Sequence, residues 1–205
     1  MICIVDYGIG NLKSIIKLFK RLNLDVQLTS DPDEVKRATK LVLPGVGHFA
    51  WGMRKLRELG LIEPLHESVM VRRVPILGIC LGMQLFSRKS EEGNGVGLGW
   101  IEAETRRFEL PPDSSRLRIP HMGWNSLEIK KSSPLLNNVG QNSLFYFAHS
   151  FHVVCADTAD ILATTRYGIE FVSCLRRENI FGIQFHPEKS HRDGVQLLTN
   201  YAELI

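Results

Sequence analysis

No stretch of this 205-residue chain approaches the ~20 consecutive apolar residues that a helix needs to cross a bilayer. Its first residues open directly as a strand, without a basic, apolar, small-residue leader pattern. Cysteine is scarce: Cys3, Cys80, Cys155 and Cys174 stand far apart with no paired spacing, which suits a reducing compartment and argues against a disulfide framework. Neither sign of charge dominates, with 25 Lys and Arg against 22 Asp and Glu. The basic pairs Arg72-Arg73, Arg106-Arg107 and Arg176-Arg177 are scattered, so nothing calls for nucleic acid as a partner. There is no Gly-x-x-x-x-Gly-Lys-Ser/Thr phosphate loop, and Gly8-Ile9-Gly10 and the Gly93-to-Gly99 alternation fall short of a dinucleotide fingerprint and read as turns. No repeat or low-complexity tract occurs. What remains is an ordinary globular composition, 44% hydrophobic and 23% charged, at a length that suits one well-buried domain and is short for two. The expectation is a single cytoplasmic domain over residues 1–205, with no metal, no cofactor and no membrane contact.

The first half alternates strands and helices. Ile2-Cys3-Ile4-Val5 reads as a buried strand, and Leu12, Ile15, Ile16, Phe19 and Leu22 recur at helical spacing behind it. A second strand is expected over Asp25 to Thr29. Asp31-Pro32-Asp33-Glu34 carries an N-cap, a first-position proline and first-turn acids. Leu41-Val42-Leu43 forms a third strand ending in Pro44-Gly45-Val46-Gly47, followed by a helix from Phe49 to Leu59. Units of this length predict an α/β fold: a central, mostly parallel sheet with helices on both faces. The second half predicts short strands at Gly99-Trp100-Ile101, Ser143 to Val154, Ile161 to Tyr167, Glu170 to Leu175 and Ile180 to Phe185. These form an antiparallel extension of the sheet, closed by a helix from Arg192 to Leu204.

The richest segment is Val74-Pro75-Ile76-Leu77-Gly78-Ile79-Cys80-Leu81-Gly82-Met83-Gln84. An apolar strand turns sharply into a helix with Cys80 at the apex, and the flanking glycines leave room where a tight turn crowds its neighbours. A packed core cysteine is the plain alternative, but it would need neither glycine. A nucleophile there also needs a base and a group that orients the base. His186, in Ile183-Gln184-Phe185-His186-Pro187-Glu188, ends an apolar strand, and Glu188 two positions on can accept its imidazole N–H. A strand-end histidine paired with a glutamate would look the same in isolation; the Cys80 turn is what favours a triad. His149 and His152, three apart, would face opposite sides of one strand, which disfavours a zinc site. Cys3, Cys155 and Cys174 read as core residues, and His48 as a loop residue or a support to the Pro44–Gly47 segment.

Gly-Ile-Cys80-Leu-Gly-Met-Gln and Phe185-His186-Pro187-Glu188-Lys189-Ser190 together resemble the class I (triad) glutamine amidotransferases. Pro44-Gly45-Val46-Gly47-His48-Phe49, Pro120-His121-Met122-Gly123-Trp124-Asn125 and Tyr146-Phe147-Ala148-His149-Ser150-Phe151 are similar to the glutaminase subunits of imidazole glycerol phosphate synthase. The resemblance spans the chain. It implies the flavodoxin-like amidotransferase fold and glutamine hydrolysis by Cys80, His186 and Glu188, with oxyanion donors from Leu81 and from Val46 and Gly47. It implies glutamine contacts at Gly45, Gln84, Glu92, His149, Ser150 and Phe151, where a plain helix surface is the alternative for Gln84 and Glu92. It also implies a (βα)8-barrel cyclase subunit that takes up the ammonia, met at Asn11, Trp124, Tyr146 and Lys189. Trp124 would be the anchor of that contact, with a core tryptophan as the alternative, and a plain surface charge is the alternative for Lys189.

Phe151 stands where those subunits usually have tyrosine, and Ala148 where they have valine. Glu188-Lys189-Ser190-His191-Arg192-Asp193-Gly194 and Gly97-Leu98-Gly99-Trp100-Ile101-Glu102-Ala103-Glu104 are similar to a paralogous branch that supplies ammonia for amidino-sugar synthesis. That branch would keep the chemistry and change the acceptor. Cysteine peptidase-like hydrolases share the elbow but lack the Phe-His-Pro-Glu block, and a non-catalytic interaction subunit would not need all three triad residues.

Overall fold

The computed structural model describes residues 1–140 and 142–205. The first half follows the strand–helix alternation: β1 (Ile2–Val5), α1 (Leu12–Arg21), β2 (Val26–Thr29), α2 (Pro32–Arg37), β3 (Lys40–Gly45), α3 (Phe49–Glu58), α4 (Ile62–His66), β4 (Ile76–Cys80) and α5 (Leu81–Leu85). Strands β2, β1, β3 and β4 lie side by side and parallel. Helices cover both faces of this sheet, so its strands are apolar throughout. Along β1 the alternation is literal: Cys3 and Val5 face the core under α2, α3 and α4, while Ile2 and Ile4 face the core under α1 and the C-terminal helix. Local signals set the helix ends. Asp31 accepts from the Asp33 N–H at 2.8 Å and starts α2, and α1 closes on Lys20 and Arg21, where positive charge suits the helix end. His48 caps α3, its Nδ1 accepting from the Ala50 N–H at 3.2 Å.

The second half adds β5 (Lys89–Ser90), β6 (Gly95–Val96), β7 (Ala103–Arg107), β8 (His121–Ser126), β9 (Glu128–Ile129), β10 (Leu144–His149), β11 (Phe151–Cys155), β12 (Ile161–Tyr167), β13 (Ile169–Arg177), β14 (Ile180–Ile183) and α6 (His191–Leu204). Strand β14 inserts parallel to β4, and β13, β11 and β7 continue the sheet antiparallel to one another. Pairing β14 to β4 brings the chain's end back beside Cys80.

Four sequence expectations are corrected here. Gly99-Trp100-Ile101 is not a strand: the Trp100 and Ile101 N–H groups both donate to the Phe86 carbonyl, and Trp100 stacks on Phe86. The expected strand from Ser143 to Val154 breaks at Ser150. Its first part, β10, pairs with β8 in a separate two-stranded ribbon, and its second, β11, joins the main sheet. Because of that break, His149 and His152 do not face opposite sides of one strand; both rings contact Phe108. Cys3 and Cys174 are core residues as expected, whereas Cys155 is only half-buried. No helix among the described residues is long and apolar enough to cross a membrane.

Candidate active site

Strand β4 delivers Cys80 to α5 with no intervening loop, and the backbone at Cys80 is held at φ +54°, ψ −109°. For a non-glycine residue this is a strained conformation, of order 1–3 kcal/mol, that survives only when the surroundings enforce it. The neighbours enforce it here. A Cβ on Gly82 would fall 1.8 Å from the Leu43 carbonyl oxygen, and one on Gly78 would meet the Phe86 ring and the Met83 amide. Both glycines are required by close approach, while the positive φ falls on the cysteine between them.

His186 follows β14, the neighbour of β4, and projects toward the same edge. Its Nδ1 lies 3.0 Å from Glu188 Oε1, with both side chains almost fully buried. Its backbone N–H donates to the Tyr146 carbonyl at 2.8 Å, and the Ser190 hydroxyl donates to the His186 carbonyl at 2.6 Å while accepting from the Tyr146 N–H. The histidine is therefore clamped between its own turn and the ribbon. Since the Glu188 carboxylate only accepts at Nδ1, Nε2 is left for the chemistry, and it makes no hydrogen bond. Burial by itself lowers the imidazole pKa, but the Cys80 sulfur and the Glu188 carboxylate outweigh it and raise the group to about 10.

Cys80 lines a cleft of about 420 Å³ together with Val46, Gly47, Leu81, Gln84, Glu92 and the Ala148–Phe151 segment. The cysteine sulfur lines a pocket sized for a small polar molecule, and beside that sulfur stands a buried histidine paired with an orienting carboxylate. That is the equipment for nucleophilic acyl transfer. The model of the family described as glutamine amidotransferase class-I matches residues 3–203. The chain belongs to that family. It is 48% identical over 201 residues to "Imidazole glycerol phosphate synthase subunit HisH 2" of Methanococcus maripaludis, covering 98% of each chain. It is 43% identical to the subunit of the same name of Pseudomonas aeruginosa over the full length of both. Among solved structures, one described as a glutamine amidotransferase superposes with a TM-score of 0.72 at 19% identity, over 98% of this chain and 97% of that one. PurLQS from Thermotoga maritima gives 0.71 at 17% identity, over 97% and 95%. At those identities the two structures speak for the fold alone.

In this amidotransferase most of the residues singled out from sequence line one cleft. Gln84 is buried rather than on a helix surface, its Nε2 donating to the Phe151 carbonyl at 3.0 Å and to Gln184 Oε1 at 3.1 Å. Both N–H groups are thus committed inward, leaving the carbonyl oxygen for a ligand. Glu92 Oε2 accepts from the Phe49 N–H at 2.7 Å, so its carboxylate sits at the start of α3 as well as on the cleft wall. Val46 is exposed and Gly47 has φ +123°, with nothing near the place of a Cβ. Gly45 departs from expectation. It sits at the end of β3, packed on Leu81 and the Tyr7 hydroxyl, and is not among the residues that line the cleft.

His149 enters through its side chain as well as its backbone. Nδ1 lies 2.8 Å from the Phe151 carbonyl, which can only accept, so the proton is on Nδ1; Nε2 then accepts from His121 Nδ1 at 3.1 Å. Burial holds both imidazoles neutral, lowering His149 to about 3 and His121 to about 4. The role of His121 was not legible in sequence, because nothing local places it across the ribbon from His149. Among the described residues no group of three His, Cys, Asp or Glu could hold a metal ion.

The four expected interface positions divide differently. Trp124 is 54% exposed, not a core residue, and packs edge-on against Tyr146 and face-to-face with His191. The Lys189 ammonium sits 5.1 Å over the Tyr146 ring. These three form one surface. Asn11 heads α1, which packs beside the Pro187–Lys189 turn.

Proposed function

We propose that this chain is the glutaminase subunit of an imidazole glycerol phosphate synthase, hydrolysing glutamine and passing ammonia to a (βα)8-barrel cyclase subunit. The observation that carries the reading is a cleft-lining Cys80 beside the buried His186–Glu188 pair, in a chain so similar, over its whole length, to subunits of that name. Glutamine lies with its amino end toward the Gln84 carbonyl oxygen and Glu92, and its carboxylate along the His149-Ser150-Phe151 backbone. The Cys80 sulfur attacks the carboxamide carbon, and the oxygen becomes an oxyanion that accepts from the Leu81 N–H and, once the Val46-Gly47 peptide turns inward, from that segment. Gly47 has the freedom to make that turn. His186 Nε2 gives its proton to the departing nitrogen, the C–N bond breaks, and a γ-glutamyl thioester with free ammonia remains. Neutral His186 then takes a proton from water, whose oxygen displaces the thiolate, and glutamate leaves with the imidazole re-protonated.

Trp124, Tyr146, Lys189 and Asn11 form the docking face, with Trp124 as the central aromatic anchor. The deciding measurement is glutamate release from glutamine in the presence of a cyclase subunit with its nucleotide ligand. Strong stimulation supports both the chemistry and the partner. Basal hydrolysis without stimulation keeps the chemistry and assigns the ammonia to another acceptor, such as an amidino-sugar synthase. No glutamate under any condition, with the chain folded, overturns the reading.

A further inference from the structure

Gln184 stands between the end of β14 and His186, its side chain wholly buried. Its carboxamide bridges two residues of the cleft. Nε2 donates to Cys80 Sγ at 3.6 Å, and Oε1 accepts from Gln84 Nε2 at 3.1 Å. The direction of this pair is fixed by a group that cannot reverse. Gln84 Nε2 also donates to the Phe151 carbonyl, so turning the Gln84 amide over would set oxygen against oxygen. Turning Gln184 over alone would set its N–H groups against those of Gln84. The end of Gln184 that meets the sulfur is therefore an N–H donor. The Phe151 carbonyl is itself held by His149 Nδ1, and His149 by His121. One hydrogen-bonded chain thus runs from two buried neutral histidines, along the cleft wall, to the nucleophile.

We infer that Gln184 is a further catalytic residue: its carboxamide N–H holds Cys80 Sγ aimed into the cleft and favours the anionic sulfur, with Gln84 and the Phe151 carbonyl as its positioning partners. The inference rests on the glutaminase reading of this cleft. A donor bonds a charged acceptor more strongly than a neutral one, so the contact strengthens as the sulfur becomes a thiolate and weakens when it becomes a thioester. Removing the donor while keeping the volume penalises the nucleophilic form specifically.

The test compares Gln184→Met and Gln184→Glu with wild type in two assays on the full chain. One is the rate of Cys80 alkylation by iodoacetamide between pH 5.5 and 9, read by peptide mass. The other is kcat and KM for glutamine with the cyclase subunit present. Cys155 and Cys174 are poor competitors, because burial pushes Cys155 up to about 12 and Cys174 higher still. Gln184→Met is expected to slow alkylation at neutral pH about tenfold and to displace its pH–rate profile upward. It should lower kcat by a similar factor while KM moves less than about threefold. Gln184→Glu, which keeps the shape but sets an acceptor against the sulfur, should be slower still. If Gln184→Met does not fold, the isosteric Gln184→Glu chain carries the same comparison. Alkylation and kcat within about twofold of wild type in a folded variant overturn the inference, as does a rise confined to KM. Alkylation needs no glutamine. A wild-type chain that is alkylated but never hydrolyses glutamine fails the glutaminase reading alone; a variant alkylated like a fully active wild type fails this inference alone.

Discussion

The Cys80 turn and the β8–β10 ribbon both adjoin His186, and they are built on opposite terms. The turn is buried on every side: Gly82 lies against the Leu43 carbonyl, Gly78 against Phe86, and the cysteine between them is held in a backbone conformation it would not adopt alone. The ribbon has one buried face, with Phe145, Phe147, His121 and His149, and one open face carrying Met122, Trp124 and Leu144. Two strands with a single covered face leave every second side chain free to vary without disturbing the fold. Chemistry that needs a fixed atom therefore resides where the backbone is over-determined. The docking face proposed above uses the side chains that can change freely. The Tyr146–His186 backbone bridge joins the two regions.

The contrast can be broken most severely at the turn. Cys80→Ala should abolish glutamate release, at least a thousandfold down, while circular dichroism and melting stay near wild type; measurable turnover would mean the nucleophile lies elsewhere. Gly82→Ala comes next. Its Cβ meets backbone rather than a yielding side chain, so a loss of about 3 kcal/mol or more in denaturant unfolding is expected. On the ribbon the pattern should invert. Trp124→Ala should change the stability of the isolated chain by less than about 1 kcal/mol, yet weaken binding to the cyclase subunit by about 2 kcal/mol in a titration. An equal loss in both measurements would erase the distinction between the regions.

The smallest effect concerns the group between them. The folded-state pKa of His186 stands above 6.5, so the imidazolium's contribution to stability is whole below pH 6.5 and is lost as pH rises toward 10. Glu188→Gln removes one of the negative neighbours and should draw the upper end of that window down, seen as an earlier alkaline decline in unfolding free energy. An unchanged profile would mean that Glu188 orients the ring without holding its charge.

The first half of the fold was legible because its signals are local. Asp31 before Pro32, the apolar run into Cys80, and the spacing of Ile15 and Phe19 each report on their own element. The second half was less so. Trp100 resembles a strand residue but is fixed by Phe86, and the split at Ser150 into two sheets has no sequence marker beyond the residues themselves. Motif reading picked out residues that line one cleft but also Gly45, which does not line it, since membership in a motif does not say which way a backbone faces. It also passed over Gln184 and His121, whose partners lie far away along the chain.

The sequence alone determined the strand-to-helix turn at Cys80, the pairing of His186 with Glu188 two residues on, and the alternation of strands and helices ahead of them. Each of these depends on neighbours within a few positions. Tertiary structure alone decided that β14 lies against β4, so that His186 reaches Cys80. It decided that Gln184 points an N–H at the sulfur because Phe151 fixes Gln84, and that Trp124 faces outward. Those outcomes depend on the register between strands separated by tens of residues, and register is set by packing summed over whole faces of the sheet, which no local segment encodes.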